Sequence, residues 1–345
     1  MLKKNRKFNH LKHLVLVIII GFLILLIVLV LGDKFFDKFH PATKQIGYGV
    51  SFSPQYSKDL GLDWKSTYIS ILDELKVKNL RIPTYWSVTE KNPGQFDYSE
   101  IDFMVTEAQN RNAKIILVLG ARQPRWPECH LPDWAKQLDL KTRQKKTLEF
   151  IRKVVEKYRT SESIKAWQVE NEPLLPFFGD KCDSPDRLFL KKEVDLVRGL
   201  DQRPIIVTDS GELRPWRTPM RLSDVFGTTL YRTVYNKVLG YTTYPLLPYF
   251  YSLKSTLNRK FFAPDNQKTI IVELQAEPWS PGNNLISTPL DQQLANFSLN
   301  NFKDYVKFAQ RTGFDEIYLW GVEWWYWVRQ KGVNQYWDYA KGLFE

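Results

Sequence analysis

Two glutamates stand where apolar runs end. Glu172 lies in Trp167-Gln-Val-Glu-Asn-Glu-Pro173, and Glu273 closes Thr269-Ile-Ile-Val-Glu273. A carboxyl group at the end of an apolar segment is costly to bury unless it is paired or used. Two such groups facing one another suit glycoside cleavage: one protonates the leaving oxygen while the other attacks the anomeric carbon. The first must hold its proton near neutral pH, and the second must stay ionised, which a nearby arginine and hydrogen-bond donors favour. Three further apolar runs end in fitting residues, with Arg81 in the first, Tyr231 after the second and Trp320 closing the third. Aromatic rings give flat apolar surfaces for the C–H faces of sugars. Several of the 12 tryptophans fall in expected loops, among them Trp126, Trp134 and Trp279.

Other chemistries lack their residues. Of the 4 histidines, His10, His13 and His40 lie in or beside the N-terminal segment, which leaves His130 alone in the rest of the chain. Zinc sites of the HExxH kind are therefore excluded, and no GxSxG elbow or phosphate-cradling GxxxxGK[ST] loop is present. The net charge of +11 owes five positive charges to Lys3, Lys4, Arg6, Lys7 and Lys12, leaving about +6 for all that follows. That balance suits an ordinary solvated surface and argues against nucleic acid as a partner. No metal or organic cofactor is implied.

These residues need a scaffold that brings strand ends together. From residue 46 on, strand-like runs alternate with helical patterns: Ile46–Ser53, Asn79–Trp86, Lys114–Gly120, Ile164–Glu172, Pro204–Asp209, Val225–Tyr231, Thr269–Glu273 and Glu316–Trp320. Runs such as Lys114–Gly120 are apolar on both faces, as a buried parallel sheet requires. Between them, Trp64–Lys78, Ile101–Asn112, Leu140–Arg159 and Leu290–Thr312 carry apolar residues at helical spacing. Eight strands with intervening helices predict an α/β fold, a (β/α)8 TIM barrel over 46–345, with the C-terminal strand ends converging on one mouth. A doubly wound open sheet would more often show a glycine-rich first turn. On a barrel strand Glu277 shares the parity of Glu273 and competes with it as nucleophile. Glu273 closes the apolar run and is expected nearer the barrel axis. Strict alternation sends Asn171 and Glu172 to opposite faces, so the fourth strand must twist or end there. Glu170 shares the parity of Glu172, and Glu323 offers either a sugar contact or an ion pair. His130 reads as a loop residue, and Tyr241–Tyr251 as a helix packed on the barrel wall.

The motif Asn171-Glu172-Pro173 closing a fourth strand, with a glutamate on the seventh, resembles the clan A retaining glycoside hydrolases. These are (β/α)8 enzymes that include family 5 cellulases and mannanases and many β-galactosidases. The block Arg81-Ile-Pro83, Trp86, Glu90, Pro93-Gly94-Gln-Phe96 and Ile101-Asp102 resembles the second βα unit of that clan. The resemblance implies that Glu172 is the general acid/base and Glu273 the nucleophile. It further implies that Asn171 contacts the sugar 2-hydroxyl, that Arg81 and Tyr231 hold the nucleophile ionised and oriented, and that Trp320 floors the sugar subsite. Glu277 is a further substrate contact, and the expected partner is an oligo- or polysaccharide. A non-catalytic carbohydrate-binding barrel and a transglycosidase acting on a cell-surface glycan are the alternatives.

Ahead of the barrel, Leu14–Leu31 forms 18 residues without a charged or polar side chain, about 27 Å as a helix and close to the thickness of a bilayer core. With the basic segment 1–13 before it, the positive-inside rule predicts a signal-anchor over 14–31 with the N-terminus cytoplasmic. The linker 32–45 and the barrel then lie outside, on the cell membrane. Cys129 and Cys182 fall in loops rich in proline, glycine and aspartate, where outside the cytoplasm they could form one disulfide.

Overall fold

The eight strand-like runs form one closed parallel barrel. The computed structural model describes residues 45–345 other than 237, 265 and 280–284, together with scattered helical residues between 15 and 32. The basic segment, seven residues of the expected membrane span and nearly all of the linker lie outside the described residues. Among the described residues no helix is long and apolar enough to cross a membrane. The barrel strands are β1 (Gly47–Ser51), β2 (Asn79–Pro83), β3 (Lys114–Leu119), β4 (Ile164–Val169), β5 (Ile205–Asp209), β6 (Val225–Leu230), β7 (Lys268–Gln275) and β8 (Glu316–Trp320). Each pairs in parallel with its sequence neighbours, and β8 pairs with β1 to close the ring. Inside the barrel Ile116, Ala166, Ile206, Ile270, Val272 and Tyr318 pack together. A larger apolar shell of outward strand residues and helix faces surrounds them. The apolar plug leaves the C-terminal end of the interior to polar side chains.

Three local departures from regularity shape that end. β2 stops at Pro83 rather than running to Trp86, because Trp86 opens a short helix, Trp86–Thr89. β4 stops at Val169, and Glu170 and Glu172 adopt left-handed φ values of 58° and 45°. Two such residues break the alternation, so the chain after Val169 no longer obeys the face rule that separated Asn171 from Glu172. On β7 the register against β6 skips Val272, with Thr228 opposite Ile271 and Thr229 opposite Glu273. The bulge turns both Val272 and Glu273 toward the interior, where strict alternation would have sent Glu273 outward with Ile271.

The surrounding helices follow the expected apolar spacing, with shorter bounds. The helix Trp64–Asp73 buries Thr67, Tyr68, Ile71 and Leu72 and is capped by Asp63, which accepts from the Ser66 N–H. The single helix expected over Leu290–Thr312 is two, Leu290–Asn296 and Leu299–Gln310. Ser298 and Asn301 form a capping box that starts the second, and the serine competes with helix continuation for the backbone. Tyr241–Tyr251 is not one wall helix. Its first residues lie in an antiparallel hairpin, Thr233–Asn236 paired with Gly240–Thr243, and a helix begins only at Pro248, running to Phe262. Proline is favoured at a helix start and not in its interior.

Candidate active site

The strand ends and their loops enclose a cavity of about 460 Å³, within the size range of small-molecule sites. Glu172 lines it from the β4 end and Glu273 from β7. The two carboxyl groups have opposite surroundings. Glu273 is an acceptor on both oxygens: Arg81 Nη1 donates at 2.8 Å and Tyr231 OH at 2.9 Å. Arg81 is fully buried and fixed on every side. Its Nε donates to Gln168 at 2.7 Å, its Nη2 to Asn171 at 2.6 Å and its Nη1 also to Ser51 at 3.3 Å. Burial and the charge of Glu273 hold the Tyr231 phenol well above its usual pKa, so it remains a donor. Among the described residues Glu172 meets no cation at hydrogen-bond distance, and it accepts from Thr229 Oγ1 at 3.3 Å. Burial first, and then the negative charges of Glu273, Glu128 and Asp209, push its carboxyl well above the ordinary range. One carboxyl group is thus shifted toward its protonated form and the other is supplied with donors.

Trp320 and Glu277 also line the cavity, and both engage Arg125. The Arg125 guanidinium lies 4.1 Å from the Trp320 ring and 3.8 Å from the Tyr56 ring, between the two aromatics. It forms ion pairs with Glu277 and, at 2.7 Å, with Glu323. Glu323 is fully buried in this pairing and also accepts from the Ser53 N–H at 2.6 Å, so its partner is the arginine, not the cavity. His130 stacks on Tyr85 with ring centroids 4.0 Å apart and bonds the Arg125 carbonyl through Nε2, behind the wall. Burial lowers its pKa to about 4.

The loop after β3 carries two residues that sequence reasoning missed, Arg125 and Glu128. The Arg122 guanidinium donates to the carbonyls of Leu175 and Phe178 at 3.1 and 2.7 Å. Glu170 accepts from the Ala121 and Arg122 N–H groups, and Cys129 is disulfide-bonded to Cys182. Arg125 and Glu128 take left-handed φ values of 80° and 69°, a conformation that non-glycine residues adopt at a cost and that turns both side chains to the cavity. No periodicity marks such residues. The available signal was local: charged residues beside Pro124, Trp126, Pro127 and Cys129, in a segment too restricted to be a plain linker.

Glu170 does not border the cavity. Its carboxyl group faces that of Glu193, and burial together with the Glu170 charge raises Glu193 well above the usual range. A carboxyl whose pKa is higher in the folded state contributes stability that is complete below its unfolded value, about 4.3, and is lost as pH rises toward the folded value. Glu193→Gln removes that titration. Thermal denaturation from pH 5 to pH 9 is expected to show a shallower loss of Tm for the variant than for wild type. Parallel curves would show that the pair carries no shared proton.

Residues 62–216 match the sequence profile of the glycoside hydrolase family 42 β-galactosidases. That stretch contains Arg81, Asn171 and Glu172, and Glu273 and Trp320 lie beyond it. The chain is 24% identical over 203 residues to β-galactosidase LacZ of Lactobacillus acidophilus, covering 52% of this chain and 30% of the relative. Among solved structures it is similar to the β-galactosidase of the Antarctic haloarchaeon Halorubrum lacusprofundi, with a TM-score of 0.54 and 14% identity over 79% of this chain and 52% of that one. It is also similar to GH5_18 from Bifidobacterium longum, with a TM-score of 0.55 and 12% identity over 80% of this chain and 69% of that one. A variant of the latter was solved in complex with Manβ1-4GlcNAc. Together these matches and the closed parallel barrel support a clan A (β/α)8 glycoside hydrolase. The match spans less than a third of the curated relative's length, so it speaks for the barrel and not for the relative's further parts.

Within this clan A barrel the residues expected at the rim come together from separate strands: Arg81 from β2, Asn171 and Glu172 after β4, Tyr231 after β6, Glu273 on β7 and Trp320 on β8. Asn171 is the exception in its placement. It is buried behind the cavity wall and does not border the space itself.

Proposed function

We propose that this chain is a β-glycosidase acting by double displacement with retention, with Glu172 as general acid/base and Glu273 as nucleophile. The observation that carries the reading is the contrast between two glutamates on one cavity. One holds its proton through burial and like charge, and the other takes two donors, Arg81 and Tyr231. Glu273 attacks the anomeric carbon while Glu172 gives its proton to the departing oxygen. Glu172 then takes a proton from water, which displaces the enzyme carboxylate and restores both groups. Trp126, Phe178, Trp279 and Trp320 on the wall offer ring faces to a sugar chain. Among the described residues six carboxyl groups, of Asp59, Glu128, Glu172, Glu212, Glu273 and Glu277, line the space against the single guanidinium of Arg125. That wall favours a neutral sugar over a uronic or sulfated one. The apolar run Leu14–Leu31 supports a membrane anchor with the barrel on the outer side, a setting that suits the Cys129–Cys182 disulfide.

The test is turnover by the full chain of a panel of aryl β-glycosides and β-linked oligosaccharides, assayed in separated membrane and soluble fractions, with the first product's anomer read by NMR. Hydrolysis in the membrane fraction with the β-anomer appearing first is expected. The α-anomer appearing first would sink the double displacement, activity confined to the soluble fraction would sink the anchor, and sugar binding without turnover would leave a binding barrel.

A further inference from the structure

Asn171, which the clan resemblance would place on the sugar 2-hydroxyl, is not free to reach a sugar. Its Oδ1 accepts from Arg81 Nη2 at 2.6 Å and lies 3.4 Å from both Gln168 Nε2 and Thr208 Oγ1. Its Nδ2 donates to Glu128 Oε2 at 3.1 Å. Glu128 does border the cavity, so a carboxyl group stands between the amide and the substrate space.

We propose that Glu128 takes the place of Asn171 in this barrel and reads the substituent on carbon 2 of the sugar that Glu273 attacks, selecting substrates with a small hydrogen-bond donor there. The proposal rests on the glycosidase reading above and adds to it the group that recognises this position. Four observations point the same way. Glu128 is buried beside Asn171 and next to both glutamates, whose carboxyl groups line the same space. Among the described residues its side-chain hydrogen-bond partner is the Asn171 amide, which leaves acceptor capacity on a carboxyl group that otherwise faces the cavity. The left-handed φ of 69° shows that the chain bears a local backbone cost to present it. The segment is also fixed on both sides, by the disulfide at Cys129 and by Arg122 on the carbonyls of Leu175 and Phe178.

The charged groups around Glu128 include the guanidinium groups of Arg122 and Arg81 and the carboxyl groups of Glu273 and Glu172. Burial outweighs the arginines and brings Glu128 up to about 8. Near neutral pH it can therefore donate to the sugar oxygen as well as accept from it, and Asn171 keeps its orientation. A sugar lacking the 2-hydroxyl leaves this buried group without its partner, the situation in which discrimination against an analogue is strongest.

The experiment compares kcat/KM of the full chain for an aryl glycoside found in the panel and for its 2-deoxy analogue, in wild type, Glu128→Ala, Glu128→Gln and Asn171→Ala. The readout is the ratio of the two substrates, in which general damage to folding or to the active fraction cancels. Wild type is expected to prefer the parent by about 10³-fold, falling to about tenfold or less in Glu128→Ala. Glu128→Gln, close in shape and still able to hydrogen-bond, should fall between them. A preference unchanged in both Glu128 variants, or one that collapses only in Asn171→Ala, would overturn the proposal while leaving the glycosidase intact. Wild type inactive on every parent glycoside would remove the glycosidase reading and this proposal with it.

Discussion

Glu273→Gln is expected to lower kcat on the order of 10⁴-fold or more for every glycoside the chain turns over, whatever the leaving group. The reason is local. Glutamine keeps the size of the side chain: its Oε1 can accept from Arg81 and its Nε2 can donate to the Tyr231 hydroxyl, in place of the two bonds now accepted at 2.8 and 2.9 Å. It has no charge to place on the anomeric carbon. Because attack and departure share one transition state whatever the leaving group, an activated aryl glycoside does not escape the loss. Arg81 stays hydrogen-bonded to Gln168, Asn171 and Ser51, so its buried guanidinium is not stranded. Steady-state kinetics on a good and a poor leaving group, with thermal denaturation as the control for folding, measures this. A folded variant retaining a tenth of wild-type kcat would exclude Glu273 as nucleophile and send attention to Glu277. Glu277 also takes an arginine and a tyrosine, Arg125 and Tyr56, but it lies past the end of β7.

That choice between Glu273 and Glu277 shows what pattern reading can and cannot reach. The eight strands were legible because parallel barrel strands are buried on both faces and read as apolar runs bounded by turns. The residues at their ends were legible because polar side chains closing apolar runs need a reason to be there. Orientation was not legible. Glu273 points inward only because the ladder slips by one residue at Val272, and nothing in Ile-Ile-Val-Glu-Leu marks a bulge. Asn171 and Glu172 escape the alternation rule because β4 ends at Val169 and two glutamates take left-handed φ, which depends on contacts made by other loops.

Arg125 and Glu128 were out of reach for a related reason. Their positions follow from long-range ties to Cys182, Leu175, Phe178 and Glu170, all more than forty residues away. No local propensity encodes such ties. The hairpin Thr233–Thr243 was lost to its aromatic content, which reads equally as a helix face. The break at Ser298 was present in the sequence as a serine followed three residues later by asparagine. Its weight is small beside an apolar spacing that continues on both sides.

Glu172→Gln should instead show a loss that depends on the leaving group, and this separates an acid from a nucleophile. For a sugar or alkyl leaving group, which departs only with a proton, kcat/KM is expected to fall on the order of 10³- to 10⁴-fold. For a dinitrophenyl glycoside, whose phenolate leaves unaided, kcat/KM should fall by less than about tenfold. Water must then be activated without a base, so the glycosyl-enzyme accumulates and a burst precedes slow turnover. Azide, a nucleophile that needs no deprotonation, should restore turnover and yield the β-glycosyl azide. The pH profile supplies an independent sign. Burial and the charges of Glu273, Glu128 and Asp209 raise the Glu172 carboxyl, and only its protonated form can give a proton. On its alkaline side, wild-type kcat/KM for a poor leaving group therefore falls as pH increases through that raised pKa. Removing the group should remove this alkaline limb. Equal losses for sugar and dinitrophenyl leaving groups, with the limb intact, would mean that the proton comes from elsewhere. Glu128, raised to about 8 at the same wall, would then be the carboxyl group to test.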